Sequence, residues 1–308
     1  MQKLTTLDKV SNRIDALSAN CYDRNIDVPD ISFDNLSIVS IAGEHHALMP
    51  IAQRSISNRL GIPYPYLKRC PEDIQAMNLN HWITKETNDQ LLFRFDGKNV
   101  RAVFTPKYIP VDNFEVMERL DFLGYGPDTE AQCHLDGEFM SLSIPDGHKA
   151  FNINGDRFKP GISISNSEVG LASLSIAAFV LRLVCTNGMV AKTDLSASYR
   201  HVSTKVLTEF PQILDKVSYE LGSQRTQFQI SMESPVDDPL ATMKSFNRQF
   251  GLNNDEKGAL EWAWPYEIGN TMFNVVNAYT RAAQMEGLSA ESSHRLQKTG
   301  GNILSILN

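Results

Sequence analysis

The run at residues 161–190, GISISNSEVGLASLSIAAFVLRLVCTNGMV, constrains this chain more than any other, because it carries charge only at Glu168 and Arg182 and has to be buried. Through Ile162-Ser163-Ile164-Ser165, and again through Leu174-Ser175-Ile176, apolar and hydroxyl residues alternate with period two. That is the pattern of strands with one buried face and one wetter face. From Ala177 to Cys185 nearly every residue is apolar, as in a strand covered on both faces, and Asn187-Gly188 offers a tight hairpin turn. A helix over 168–186 competes with the strand reading, since the segment is long enough and Ala, Leu and Phe suit either state.

The remainder of the chain is arranged around this run. Leu7, Val10, Ile14 and Leu17 recur at helical spacing and predict an amphipathic N-terminal helix. Ile31-Ser32-Phe33 and Leu36-Ser37-Ile38-Val39 predict short strands, followed by Glu44-His45-His46 in a loop. Residues 50–83 are expected to be helical, with Pro50 and Pro71 in first turns, and Ile56, Ser57, Leu60, Gly61, Ile62 and Leu67 have the spacing of a helix-turn-helix that Pro63 and Pro65 disturb. Residues 127–160 hold the turn pairs Asp136-Gly137, Asp146-Gly147 and Asn154-Gly155. Beyond Val190, SYRHVST can continue as a strand and the helical period holds over 205–221. Asp238-Pro239 opens a helix to Phe250, and two more are expected over 271–285 and 291–307. Trp262, Trp264 and Tyr266 crowd the turn before them and are expected to pack between helices. The fold class is therefore α+β: an antiparallel-rich sheet core in the N-terminal two thirds and a helical C-terminal third. The division expected is a mixed body over 1–202 and a helical layer over 203–308.

The clearest local element is 91–104, two alternating runs joined by Asp96-Gly97, the pair that favours a type I′ hairpin. Arg94 and Arg101 can share one face, with Lys98 near the turn and Lys107 and Tyr108 just beyond, before Asp112 caps a helix over 114–123. Guanidinium and ammonium groups for phosphate, with an aromatic ring for a base, make these five a candidate nucleic-acid-binding set. The competing reading is a solvated sheet face whose basic residues keep an edge soluble. Asn166, Glu168, Arg182 and Asn187 form a polar cluster of unassigned role, in which Glu168 and Arg182 could pair.

The chain has 308 residues, 42% hydrophobic, and a net charge of −7. A core of that size needs neither disulfides nor metal, and the bulk field repels nucleic acid unless a basic groove is local. Cys21, Cys70, Cys133 and Cys185 share no short spacing, which points to a reducing cytoplasm rather than a disulfide framework. No uncharged apolar run reaches the roughly 18 residues that a membrane span needs, and the N-terminus carries no secretion-type core. Phosphate-loop, HExxH, GxSxG and CxxC motifs are absent. Cys185 with His201 or His148 as base is a weak nucleophile candidate, because a thiol in an apolar strand is normally inert. A binding protein without cofactor is favoured over an enzyme.

Gly61-Ile62-Pro63 through Tyr66, Asn80-His81-Trp82, Val100-Arg101-Ala102 through Asp112-Asn113, Asn166-Ser167-Glu168-Val169-Gly170, Arg182 through Gly188, and Phe273-Asn274 with Asn277-Ala278 together resemble the phage- and plasmid-borne family called domain of unknown function 932. The resemblance implies a mobile-element origin and a cytoplasmic protein, and it brings no catalytic residues with it. Its expected role is assistance with single-stranded DNA in replication or recombination. The alternative is an anti-defence protein that blocks a host nucleic-acid-binding factor, and the third is an enzyme acting on a nucleotide or nucleic-acid end. Expected partners are single-stranded DNA, a host defence or replication protein, and further copies of the chain in an assembly larger than a dimer, built through an exposed hairpin edge and the N-terminal helix.

Overall fold

A computed structural model describes residues 4–183, 187–190, 197–199, 212 and 224–307. The chain forms two units, one of Met1–Asn12, Val111–Ser167 and Ala172–Asn308 (unit 1), the other of Arg13–Pro110 and Glu168–Leu171 (unit 2). It opens with strand β1 (Thr5–Thr6) and helix α1 (Leu7–Ser18), where Leu7, Val10 and Ile14 are buried and only Leu17 is exposed. The apolar stripe of the helix expected to help build an assembly is therefore buried within the chain, Leu17 apart.

Unit 2 holds a six-stranded sheet built from β2 (Cys21–Asp27), β3 (Ile31–Phe33), β4 (Ile38–Ile41), β5 (Glu44–Leu48), β6 (Gln90–Asp96) and β7 (Asn99–Phe104), in the order β2-β6-β7-β5-β4-β3. Glu44-His45-His46, expected in a loop, begin β5. Their alternation turns His45 outward to Asp34 at 2.7 Å and His46 inward. Helices α2 (Pro50–Arg59), α3 (Tyr64–Leu67) and α4 (Glu72–Ile83) accompany this sheet. With a second helix of a single turn, the helix-turn-helix pattern yields nothing long enough to enter a groove. The 91–104 hairpin forms as expected, but it is not an edge. β2 pairs with β6 over its whole length, and β5 joins β7 in parallel at Ala47↔Asn99 and Leu48↔Val100.

Unit 1 contains α5 (Asn113–Phe122), β8 (Glu130–Leu135), β9 (Met140–Pro145), β10 (Phe151–Ile153), β11 (Asp156–Asn166), β12 (Leu174–Arg182), β13 (Asn187–Val190) and β14 (Ala197–Tyr199). With β1 these strands form an eight-stranded sheet among the described residues, along β1-β8-β9-β11-β12-β13. The alternation at 162–165 and 174–176 resolves as strands, paired Ser163↔Ala177, Ile164↔Ile176 and Ser165↔Ser175. Gly161 is obligatory in β11, since a Cβ there would overlap the Ile144 carbonyl. Asn187-Gly188, expected as a turn, instead starts β13 opposite Arg182 and Leu181.

Helices α6 (Gln224–Glu233), α7 (Pro239–Gln249), α8 (Asn254–Ala263), α9 (Met272–Ala282) and α10 (Ala290–Ser305) complete unit 1. Asp238 caps α7 by accepting from the Ala241 amide at 2.9 Å. The hydroxyl face of the central strands, expected to be wetter, is buried: Gln132, His134, Ser141, Ser143, Ser163 and Ser165 are each 5% exposed or less. Polar residues of α10 meet it, His294 Nδ1 lying 2.9 Å from Ser141 Oγ and Gln297 Nε2 3.5 Å from Gln132 Oε1. Trp262 and Tyr266 are exposed rather than packed between helices; the Arg281 guanidinium lies 4.3 Å from the Tyr266 ring centre. The expected layer change near residue 202, the helix over 205–221 and the pair Cys185 with His201 lie outside the described residues, Gln212 apart. The fold class is α+β, antiparallel-rich up to residue 182 and helical over 225–305. Among the described residues no helix is long and apolar enough to cross a membrane.

Candidate functional site

Arg94 and Arg101 do share a face, and that face is closed. On interior strands β6 and β7 they are 3% and 8% exposed. Buried guanidinium groups demand anionic partners. Arg94 Nε donates to Asp23 Oδ1 at 2.9 Å and its Nη1 to the Glu168 carbonyl at 2.9 Å. Arg101 Nη2 donates to Glu168 Oε2 at 3.0 Å and its Nη1 to Cys21 Sγ at 3.0 Å. Burial pushes the Cys21 thiol up, and the neighbouring Arg101 opposes this without overcoming it, so the thiol stays protonated at neutral pH. All five residues belong to unit 2, where Gly170, at φ +85°, lets the turn after Glu168 lie against the Phe104 ring.

The other members of the candidate set are dispersed. Lys98 sits in the turn before β7 and Lys107 beyond its far end, so a strand of roughly 20 Å separates them. Both are exposed, and neither forms an ion pair among the described residues. Tyr108 is half-buried with its ring stacked on Phe104, centroids 3.7 Å apart and planes within 2°.

The polar cluster separates too. Asn166, fully buried, donates to the Val111 carbonyl at 2.9 Å and to Asn113 Oδ1 at 3.0 Å. Glu168 is taken up by Arg101. Arg182 pairs with Asp156 at 2.7 Å and Glu267 at 3.4 Å, and its guanidinium carbon lies 4.9 Å from the Phe273 ring centre. Asn187 contributes its backbone to β13. Phe273, Asn274 and Asn277 serve local structure: Thr271 and Asn274 form a capping box at the start of α9, and Asn277 donates to the Phe273 carbonyl at 2.7 Å.

The residues that sequence reasoning missed are the acceptors Asp23, Asp156 and Glu267. They stand 71, 26 and 85 positions from their arginines, and no local pattern marks such pairs. The arrangement orders buried loops and strands by charge-assisted hydrogen bonds. Among the described residues, no group of three or more His, Cys, Asp or Glu side chains could hold a metal ion.

A family model described as a domain of unknown function (DUF932) matches residues 101–299. No curated protein and no solved structure matches the chain.

Proposed function

The chain belongs to the DUF932 family, and from that premise we propose that it is a mobile-element protein that binds single-stranded DNA during replication or recombination without catalysing a reaction on it. One observation carries this reading. Among the described residues of the matched stretch, Arg101 is held by Glu168, and Arg182 by Asp156 and Glu267. Groups consumed in internal pairs serve architecture, which leaves binding to the surface. Lys98 and Lys107 supply exposed charge there, and Tyr108 is half-buried against Phe104.

The test is an anisotropy titration of a labelled oligonucleotide at several salt concentrations. Saturable binding that weakens steeply with salt is expected. Its absence at low salt overturns the reading.

A second reading is favoured by the distribution of charge. Internal ion pairs cancel, so the net −7 is carried by the surface, and unit 2 is close to neutral while unit 1 holds the excess acid. Such a surface suits a basic nucleic-acid-binding factor of a host defence system. Displacement of labelled DNA from a purified basic DNA-binding protein, reversed by salt, supports this role, and no displacement at low salt rejects it.

A further inference from the structure

The inward side of α4 is complete. Leu79 and Ile83 are buried in the core, Asn80 bonds both backbone groups of Phe33, and Gln75 accepts from the Leu36 amide. Its outward side is of another character. Trp82 is 46% exposed, Met77 66%, and Tyr66 of the neighbouring α3 45%. The His81 ring meets the Trp82 indole edge-on, centroids 5.2 Å apart, and so helps to fix it. The Tyr66 phenol interacts with the side chains of Cys70 and Asn78. Asn78 is one helical turn before Trp82, so both aromatic rings border the same strip of helix.

Lys68, Arg69 and Lys85 flank this strip, all exposed. None forms an ion pair among the described residues; Arg69 Nε donates only to the Pro65 carbonyl, at 3.1 Å, which leaves its charge uncompensated. The nearby Glu86 is already held by Arg59 at 2.6 Å. Glu72 and Asp73, exposed in the first turn of α4, follow Arg69 by three and four positions without forming an ion pair among the described residues, and lie about 14 Å along the axis from Trp82. In the same unit Arg94 and Arg101 are neutralised inside.

Uncompensated cations beside exposed rings complement a polyanion with unpaired bases. We propose that the outer face of α3 and α4 is the contact for a single-stranded nucleic acid, with Tyr66 and Trp82 stacking on bases and Lys68, Arg69 and Lys85 neutralising phosphates. This rests on the single-strand reading above and moves its principal contact away from Lys98, Lys107 and Tyr108. The face lies outside residues 101–299, the stretch that the family model matches.

The full chain is titrated with labelled oligothymidylate and, in parallel, oligouridylate, which separates DNA from RNA as the source of the same chemistry. Tyr66→Ala with Trp82→Ala should weaken binding at least roughly thirtyfold. Three phosphate contacts give a slope of log K against log salt near −2, which Lys68→Ala, Arg69→Ala and Lys85→Ala together should flatten. Oligonucleotide should quench the fluorescence of Trp82, and Trp82→Phe, which keeps ring and fold, should abolish that part of the quenching. Wild-type affinity in the α3–α4 variants, with loss of binding in Lys107→Ala with Tyr108→Ala, overturns this site and leaves the single-strand reading standing. No saturable binding by the wild type at low salt overturns both.

Discussion

At Glu168 a carboxylate accepts from Arg101 while the carbonyl of the same residue accepts from Arg94, so one acidic residue satisfies two buried cations. Removing one partner of such a pair is costly, because the other charge stays in a poorly solvated site. Glu168→Gln should lower unfolding free energy by about 3–5 kcal/mol, whereas the double replacement Arg101→Met with Glu168→Leu should recover most of it. Urea denaturation of the two variants and the wild type measures this. A Glu168→Gln midpoint equal to wild type would show the pair to be solvated and dispensable. The arginine face was legible in the alternation of 91–104. Its closure was not, since Asp23 and Glu168 are recruited from 71 and 67 positions away.

Among the elements, the β3 edge shows how a helix can finish a sheet. The amide of Asn80 accepts from the Phe33 N–H and donates to its carbonyl, both at 2.8 Å, which is the pair of bonds a neighbouring strand would make. Asn80→Ala should cost about 1–3 kcal/mol, because a half-buried amide and carbonyl lose their partners together. Hydrogen exchange at the Phe33 amide should speed up more than at β6, and equal protection in both proteins rejects the assignment. Local elements of this kind were well marked in the sequence: the Asp96-Gly97 hairpin, the Asp112 and Asp238 caps, and the alternation of β11 and β12 all rest on interactions a few residues long. Helix α8 was missed although Asn253 and Glu256 spell its capping box. What sequence could not supply was sheet order, since the pairing of β2 with β6 joins segments some 70 positions apart and turns a presumed edge into an interior strand.

For the whole molecule, two groups predict a stability that declines in acid. Burial against the sheet, with Lys298 and His134 adding to it, depresses His294 from 6.5 to about 3. The unfolded chain therefore takes up a proton that the folded one refuses, and stability is lost as pH falls from about 6.5 towards 3. Burial tends to raise Glu86, but hydrogen bonds from Arg59 and Asn88 outweigh it and hold the carboxyl down from 4.5 to about 2. Its contribution is complete above about 4.5 and disappears as pH falls through 2. Urea midpoints measured against pH should fall from about 6.5 downward. His294→Asn, which keeps an acceptor for Ser141, should flatten the upper part of that fall and Glu86→Gln the lower part. A wild-type profile flat between pH 6.5 and 4 removes the His294 assignment. Neither shift was legible in the sequence, because each depends on what the fold packs around the group. The division of the chain was equally hidden, for unit 2 is completed only by Glu168–Leu171. That piece has a consequence for biosynthesis. Translation delivers Arg101 67 residues before Glu168, a lag of roughly 3–13 s at about 5–20 residues per second. Throughout it the hairpin holding Phe93 and Phe95 must wait on the ribosome with a guanidinium unanswered. A pause in elongation ahead of codon 168 lengthens the time for which Arg101 lacks its carboxylate partner.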